Sequence, residues 1–208
     1  MFSNEFNSLA TISCAINNCT LCRLHETRNL AVPGEGPSNA ELMFVGEAPG
    51  HVNDQLGRPF VGQGGRIFDG ILETIGINRE SIFVTNAVKC WPPENQRPKP
   101  DELRVCQKYL DAQICIVKPK LIFAFGATAF TQLTGQKIRM KEDHGAIVMG
   151  RAIPVCAVFH PNGIRYIKGG RQTIIKCIEG ALRQLGLSDL IIPPCTGDNT
   201  GQQGDLFE

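Results

Sequence analysis

Cys19 and Cys22 form a C-x-x-C turn, and Cys90 and Cys106 lie much further along the chain. Four thiolates are metal ligands by type, suited to a zinc ion or to an iron–sulfur cluster, and the spacing does not choose between them. Cys14 adds a C-x4-C-x2-C spacing of the ferredoxin kind, but its surroundings are otherwise unlike a ferredoxin. Cys115, Cys156 and Cys177 lie in apolar stretches and read as core packing, while Cys195 has no evident role. A second set of reactive types follows apolar runs: Glu47 within Gly46-Glu47-Ala48-Pro49-Gly50, then Asn86, then His160-Pro161. A carboxylate and an imidazole can hold or move protons, and a carboxamide can read a hydrogen-bonding edge.

Something must bring these residues together. Glu41 to Gly46, Ser81 to Thr85, Lys120 to Phe125 and Ile153 to Phe159 read as buried strands. Gly65 to Ile75 carries a helical stripe of Ile67, Phe68, Ile71, Leu72 and Ile75. Asp101 to Val117 carries another, with Asp101 as its cap, and Thr173 to Leu185 forms a closing helix. Strand–helix alternation of this kind predicts an α/β fold: a single-domain, three-layer αβα sandwich around a mainly parallel, four-stranded sheet. Sites in such sheets form at the carboxyl ends of strands. Glu47, Asn86 and His160 follow three strand ends and converge on one pocket.

The chain has 208 residues, 42% hydrophobic and 20% charged, which suits one globular domain at residues 1–187. From 188 to 208 the composition shifts to Pro, Gly, Asn and Gln, and a mobile tail is expected. No apolar run is long enough to span a bilayer, and Met1 to Ala10 does not read as an export signal, so a cytoplasmic, monomeric protein is expected. Nine cysteines, an odd number, then argue against a disulfide framework. The net charge of +1 announces no nucleic-acid partner, so any DNA footprint must be local.

Longer motifs carry a resemblance. CTLCRLHETRNLAVPGEGPSNAELMFVGEAPG (Cys19 to Gly50), GRPFVGQGG (Gly57 to Gly65), TNAVKCWPPENQRPKP (Thr85 to Pro100) and the His160-Pro161 pair occur in order. Over roughly residues 15–185 the chain resembles the family 4, iron–sulfur uracil-DNA glycosylases. The resemblance implies excision of uracil from single- or double-stranded DNA by hydrolysis of the N-glycosidic bond, at the start of base excision repair. It places a [4Fe–4S] cluster on Cys19, Cys22, Cys90 and Cys106. Asn53 departs from the family, which usually carries an acidic residue there.

Breaking the bond to uracil develops positive charge on the sugar and negative charge on the base. The resemblance implies that Glu47 orients or activates the attacking water. His160 would donate to uracil O2. Asn86 would accept from N3–H and donate to O4, a pattern that cytosine reverses. Phe60 would stack on the flipped base, and backbone amides near Ala48 and Asn53 would contact it. On type alone each side chain has a plainer reading, as a loop glutamate, a strand-end histidine, a turn asparagine or a core phenylalanine.

For DNA, Ile164 would be the wedge that fills the gap and Arg165 a phosphate contact, with Lys89, Arg97, Lys99, Lys168 and Arg171 as further backbone contacts. A covalent uracil-trapping relative is the first rival, but it would carry a basic, histidine-bearing insertion that Trp91 to Pro100 lacks. A non-catalytic, cluster-bearing DNA-binding module is the second, and it would not need Glu47, Phe60, Asn86 and His160 together. Gln203-Gly204-Asp205-Leu206-Phe207 resembles the peptide by which bacterial repair proteins dock on the sliding clamp.

Overall fold

The computed structural model describes residues 6–191, so the clamp-like peptide and Cys195 lie outside the described residues. Strands β1 (Leu42–Gly46), β2 (Phe83–Asn86) and β3 (Leu121–Phe125) are buried along their whole length. That is why β1 and β3 read as unbroken apolar runs rather than alternating ones, while β2 ends in the buried polar pair Thr85 and Asn86. β4 (Ile147–Gly150) and β5 (Ile153–Val158) complete a five-stranded sheet of order β2-β1-β3-β5-β4.

The first four of those are parallel neighbours, and β4 runs antiparallel to β5 at the edge. β4 is the strand the four-stranded expectation lacked. Its hairpin with β5 turns through Arg151 and Ala152, both at positive φ (52° and 63°). Such a turn ordinarily carries Asn-Gly or Asp-Gly, so the usual signal was missing. β4 also lies half-exposed, which breaks up its apolar pattern.

Alternate residues of each strand feed opposite faces of the sheet. Phe44, Phe123 and Phe125 join Phe68 and Ile71 of α4 (Gln63–Ile75) and Ile174 and Ile178 of α8 (Gly170–Gln184). Met43, Val45, Ile122 and Ala124 meet Leu110 and Ile114 of α5 (Pro100–Val117) and Phe130 of α6 (Ala127–Thr134). This makes the three-layer sandwich. Leu187, Leu190 and Ile191 pack on the first of these clusters.

A third cluster joins α1 (Leu9–Asn17) and the short α2 (Leu24–Thr27) to α5 through Ile12, Ile16, Leu24 and Tyr109. The remaining short helices are α3 (His51–Leu56) and α7 (Met140–Asp143). Lys99, not Asp101, caps α5; Pro100 opens it and Glu102 reaches back to the Lys99 amide at 2.7 Å. Among the described residues no helix is long and apolar enough to cross a membrane.

Candidate active site and metal centre

The carboxyl ends of β1, β2, β3 and β5 open into one cavity of about 390 Å³. Glu47, Ala48, Asn53, Phe60, Asn86 and His160 all line it. Gly46 and Asn86 are paired neighbours at the ends of β1 and β2, which sets Glu47 beside the carboxamide. Past those ends the strands stay joined, since the Val88 amide donates to the Glu47 carbonyl at 3.2 Å. Gly46 must be glycine because a Cβ there would sit 2.3 Å from Asn86 Oδ1 and 2.8 Å from the Phe60 ring. The carboxamide and the aromatic ring therefore close around a bare backbone.

Phe60 is buried and held at φ 49°, a left-handed conformation that a phenylalanine adopts only under constraint. The constraint is visible on both sides. Arg58 and Arg79 both pair with Glu35, at 2.9 and 2.8 Å, and Arg79 also donates to the Pro59 carbonyl. Burial raises the Glu35 carboxyl, but the two guanidinium groups outweigh it and hold the group below its usual range. On the far side a Cβ at Gly65 would meet the Phe60 carbonyl at 1.9 Å. The ring lies 6.1 Å from that of His160 and nearly parallel to it.

His160 caps the 3-10 turn Pro161–Tyr166, and its Nδ1 accepts the Asn162 amide at 3.2 Å. Nδ1 is thus an acceptor, and the neutral ring carries its proton on Nε2. Burial pushes the ring down to about 4, so it is neutral at physiological pH. Glu47 is about a third exposed, with Arg97 Nε 3.8 Å from its Oε2. Asn53 braces the loop: its Oδ1 accepts from the Gly50 amide and its Nδ2 donates to the Arg58 carbonyl.

Sequence reasoning missed the fourth strand end. Phe125 ends β3 and Gly126 follows it, and both form part of the wall; the central position of β3 was the signal. It also missed Asn95, which sits at φ 56° in the loop after Pro92 and accepts from the Trp91 indole at 2.9 Å.

Of the proposed DNA contacts, Lys89 is corrected. It is buried, and its ammonium donates to Thr85 Oγ1, the Asn86 carbonyl and Gln113 Oε1, each at 2.7 Å. Burial lowers it to about 8. A cation so enclosed cannot reach a phosphate; instead it fixes the peptide of Asn86. Arg171 is turned onto α4, donating to the Gly70 carbonyl at 2.6 Å. Ile164 is half-buried against the core, and the side chain of Arg165 lies outside what is described.

Cys19, Cys22, Cys90 and Cys106 line a second, apolar pocket with Ile16, Val105 and Tyr109. N–H donors face the sulfurs: Arg28 Nη1 lies 3.1 Å from Cys90 Sγ, and the Lys89 and Leu24 amides serve Cys106 and Cys22. Burial pushes the Cys106 thiol up to about 12 and also raises Cys22 and Cys90. Thiols so disposed are poor free nucleophiles, while a metal–sulfur group would draw off their protons and use those donors. Four cysteines around one apolar pocket fit an iron–sulfur cluster by type, although among the described residues no three His, Cys, Asp or Glu side chains are gathered closely enough to hold a metal ion. Cys14 is exposed and outside this pocket. Cys115 is exposed too, against the core-packing expectation, because it falls on the outer side of α5 next to inward-facing Ile114.

The Uracil DNA glycosylase superfamily model matches residues 33–182, which include every strand and the whole cavity wall. A type-4 uracil-DNA glycosylase of Thermotoga maritima is 40% identical over 87% of this chain and 96% of its own length. The chain belongs to the type-4 uracil-DNA glycosylases. A type-4 member from Pyrobaculum aerophilum is 41% identical over 72% of this chain and 80% of its own, and one from Saccharolobus solfataricus 36% over 96% of both. The Saccharolobus match, at 96% of this chain, takes in both the cysteine-bearing amino-terminal segment and α8.

Proposed function

We propose that this protein is a uracil-DNA glycosylase that takes one flipped uracil into the cavity at the strand ends and hydrolyses its N-glycosidic bond, leaving an abasic site. The observation that carries the reading is the enclosure of a carboxylate, a buried carboxamide and a neutral imidazole around one aromatic ring. His160, with its proton on Nε2, donates to uracil O2 and stabilises the anion as the base departs. Asn86 accepts from N3–H and donates to O4. Cytosine would leave both groups unpaired, at a cost of roughly 1–3 kcal/mol each. Phe60 stacks on the base, and the Ala48 and Asn53 amides complete its contacts. Glu47 faces the sugar side, where its charge stabilises the developing cation and it orients the attacking water.

Cys19, Cys22, Cys90 and Cys106 would hold a [4Fe–4S] cluster, whose contribution is structural: it fastens the amino-terminal segment to the loop after Asn86 and to α5. Ile164 and Arg165 enter the opened duplex and contact its backbone. Gln203 to Phe207 docks on a bacterial sliding clamp, raising the local concentration of enzyme at replicating DNA. The test is release of free base from single- and double-stranded oligonucleotides carrying uracil, cytosine or thymine at one position. Release from the uracil strands alone supports the reading. Binding without release, or a persistent covalent adduct, overturns it.

A further inference from the structure

Away from both sites, Cys156 of β5 and Cys177 of α8 face each other with their sulfurs 3.9 Å apart. His144 stands beside them. Its Nδ1 accepts the Phe159 amide at 3.2 Å, so its ring N–H is on Nε2. Nε2 looks toward α8, 3.5 Å from the Thr173 carbonyl, one turn before Cys177. Cys156 is fully buried and Cys177 half-buried, so only the second is open to solutes. Gly145 lies beside the pair, where a Cβ would touch Cys177 Sγ at 3.8 Å, so the glycine leaves that side of the sulfur uncovered. We propose that Cys156 and Cys177 form a reversible disulfide, with Cys177 the sulfur that meets a small hydroperoxide and Cys156 the one that resolves it.

The electrostatics favour that division. One thiol donates to the other sulfur, and the His144 imidazole supports Cys177, so Cys177 is lowered while the more deeply buried Cys156 is raised. A thiolate is the nucleophile in such chemistry. The Cys177 thiolate attacks one oxygen of the peroxide, giving a sulfenic acid and hydroxide. The Cys156 thiol then attacks that sulfur, its proton leaving with the sulfenic oxygen as water. One peroxide is reduced and two thiols are oxidised. The sulfurs must close by about 2 Å to reach bonding distance. The bond would tie α8 to the strand that leads to His160. The inference does not depend on the proposed activity.

The experiment uses the full-length holoprotein, freed of reductant under argon and exposed to equimolar hydrogen peroxide. Remaining thiols are then blocked in denaturant, and the digest is mapped by mass without reduction. The expected product is a peptide pair joined through Cys156 and Cys177, two hydrogens lighter than its parts and separated by dithiothreitol. Cys156→Ala should instead leave Cys177 as a sulfenic acid, which a second equivalent of peroxide carries on to the sulfinic acid, and Cys177→Ala should leave Cys156 a free thiol. Recovery of both cysteines as blocked thiols in the wild type overturns the proposal. So does a sulfinic acid at Cys177 with Cys156 still free, or a link from either to another cysteine.

Discussion

The main-chain N–H of Asn162 donates to Nδ1 of His160 at 3.2 Å, which leaves Nε2 as the ring's only proton-bearing nitrogen. Burial holds the same ring down to about 4. In the proposed role the histidine is a neutral donor, and excision should then show no inflection near pH 6.5, where a free imidazole titrates. Single-turnover rates between pH 8 and 5 check this. Stability has the opposite visibility. The unfolded chain takes up a proton near 6.5 that the folded ring refuses until about 4, so this contribution is lost as pH falls through that window. In His160→Gln the melting temperature should fall less steeply over the same range.

Gly46→Ala tests the packing of the pocket without touching a reacting group. The new Cβ would meet Asn86 Oδ1 at 2.3 Å and the Phe60 ring at 2.8 Å. Displacing either by about 1 Å should lower single-turnover excision on the order of 10²-fold. Circular dichroism should still report the sheet. Asn86→Asp should weaken uracil discrimination, because a carboxylate cannot donate to O4.

Anaerobically purified protein should be brown and carry about four irons per chain, as a cubane on four thiolates implies. Cys14→Ser should leave the iron content unchanged, since Cys14 is exposed and outside the cysteine pocket. Stoichiometric zinc without iron would contradict the cluster.

A fluorescent peptide covering residues 197–208 should bind a bacterial sliding clamp, and the binding should vanish when Leu206 and Phe207 become alanine. No binding up to roughly 100 µM, the weak end for docking peptides, would remove the clamp proposal. Deleting the same residues should leave excision from short oligonucleotides unchanged.

Much of this was legible in the sequence. Runs such as Leu42–Gly46 and Leu121–Phe125 bury both faces, and so announce themselves as parallel strands. The motifs after them placed Glu47, Asn86 and His160 at one edge. What stayed hidden depends on partners distant in the chain. Lys89 looks like a surface charge until Gln113, 24 residues on, supplies its acceptor. The same holds for the Cys156–Cys177 contact, where each cysteine alone reads as core. Cys115 was readable, since the inward positions Leu110, Ile114 and Val117 leave it on the opposite side of α5.

The central claim is that Glu47 and His160 act on one uracil held in the strand-end cavity. Single-turnover release of uracil from a labelled oligonucleotide, compared among wild type, Glu47→Ala and His160→Ala, tests it most directly. Each variant should keep its fold and lose on the order of 10²–10³ in rate, the usual cost of one preorganised group. Unchanged rates in both variants, or no uracil release by the wild type, would contradict the account.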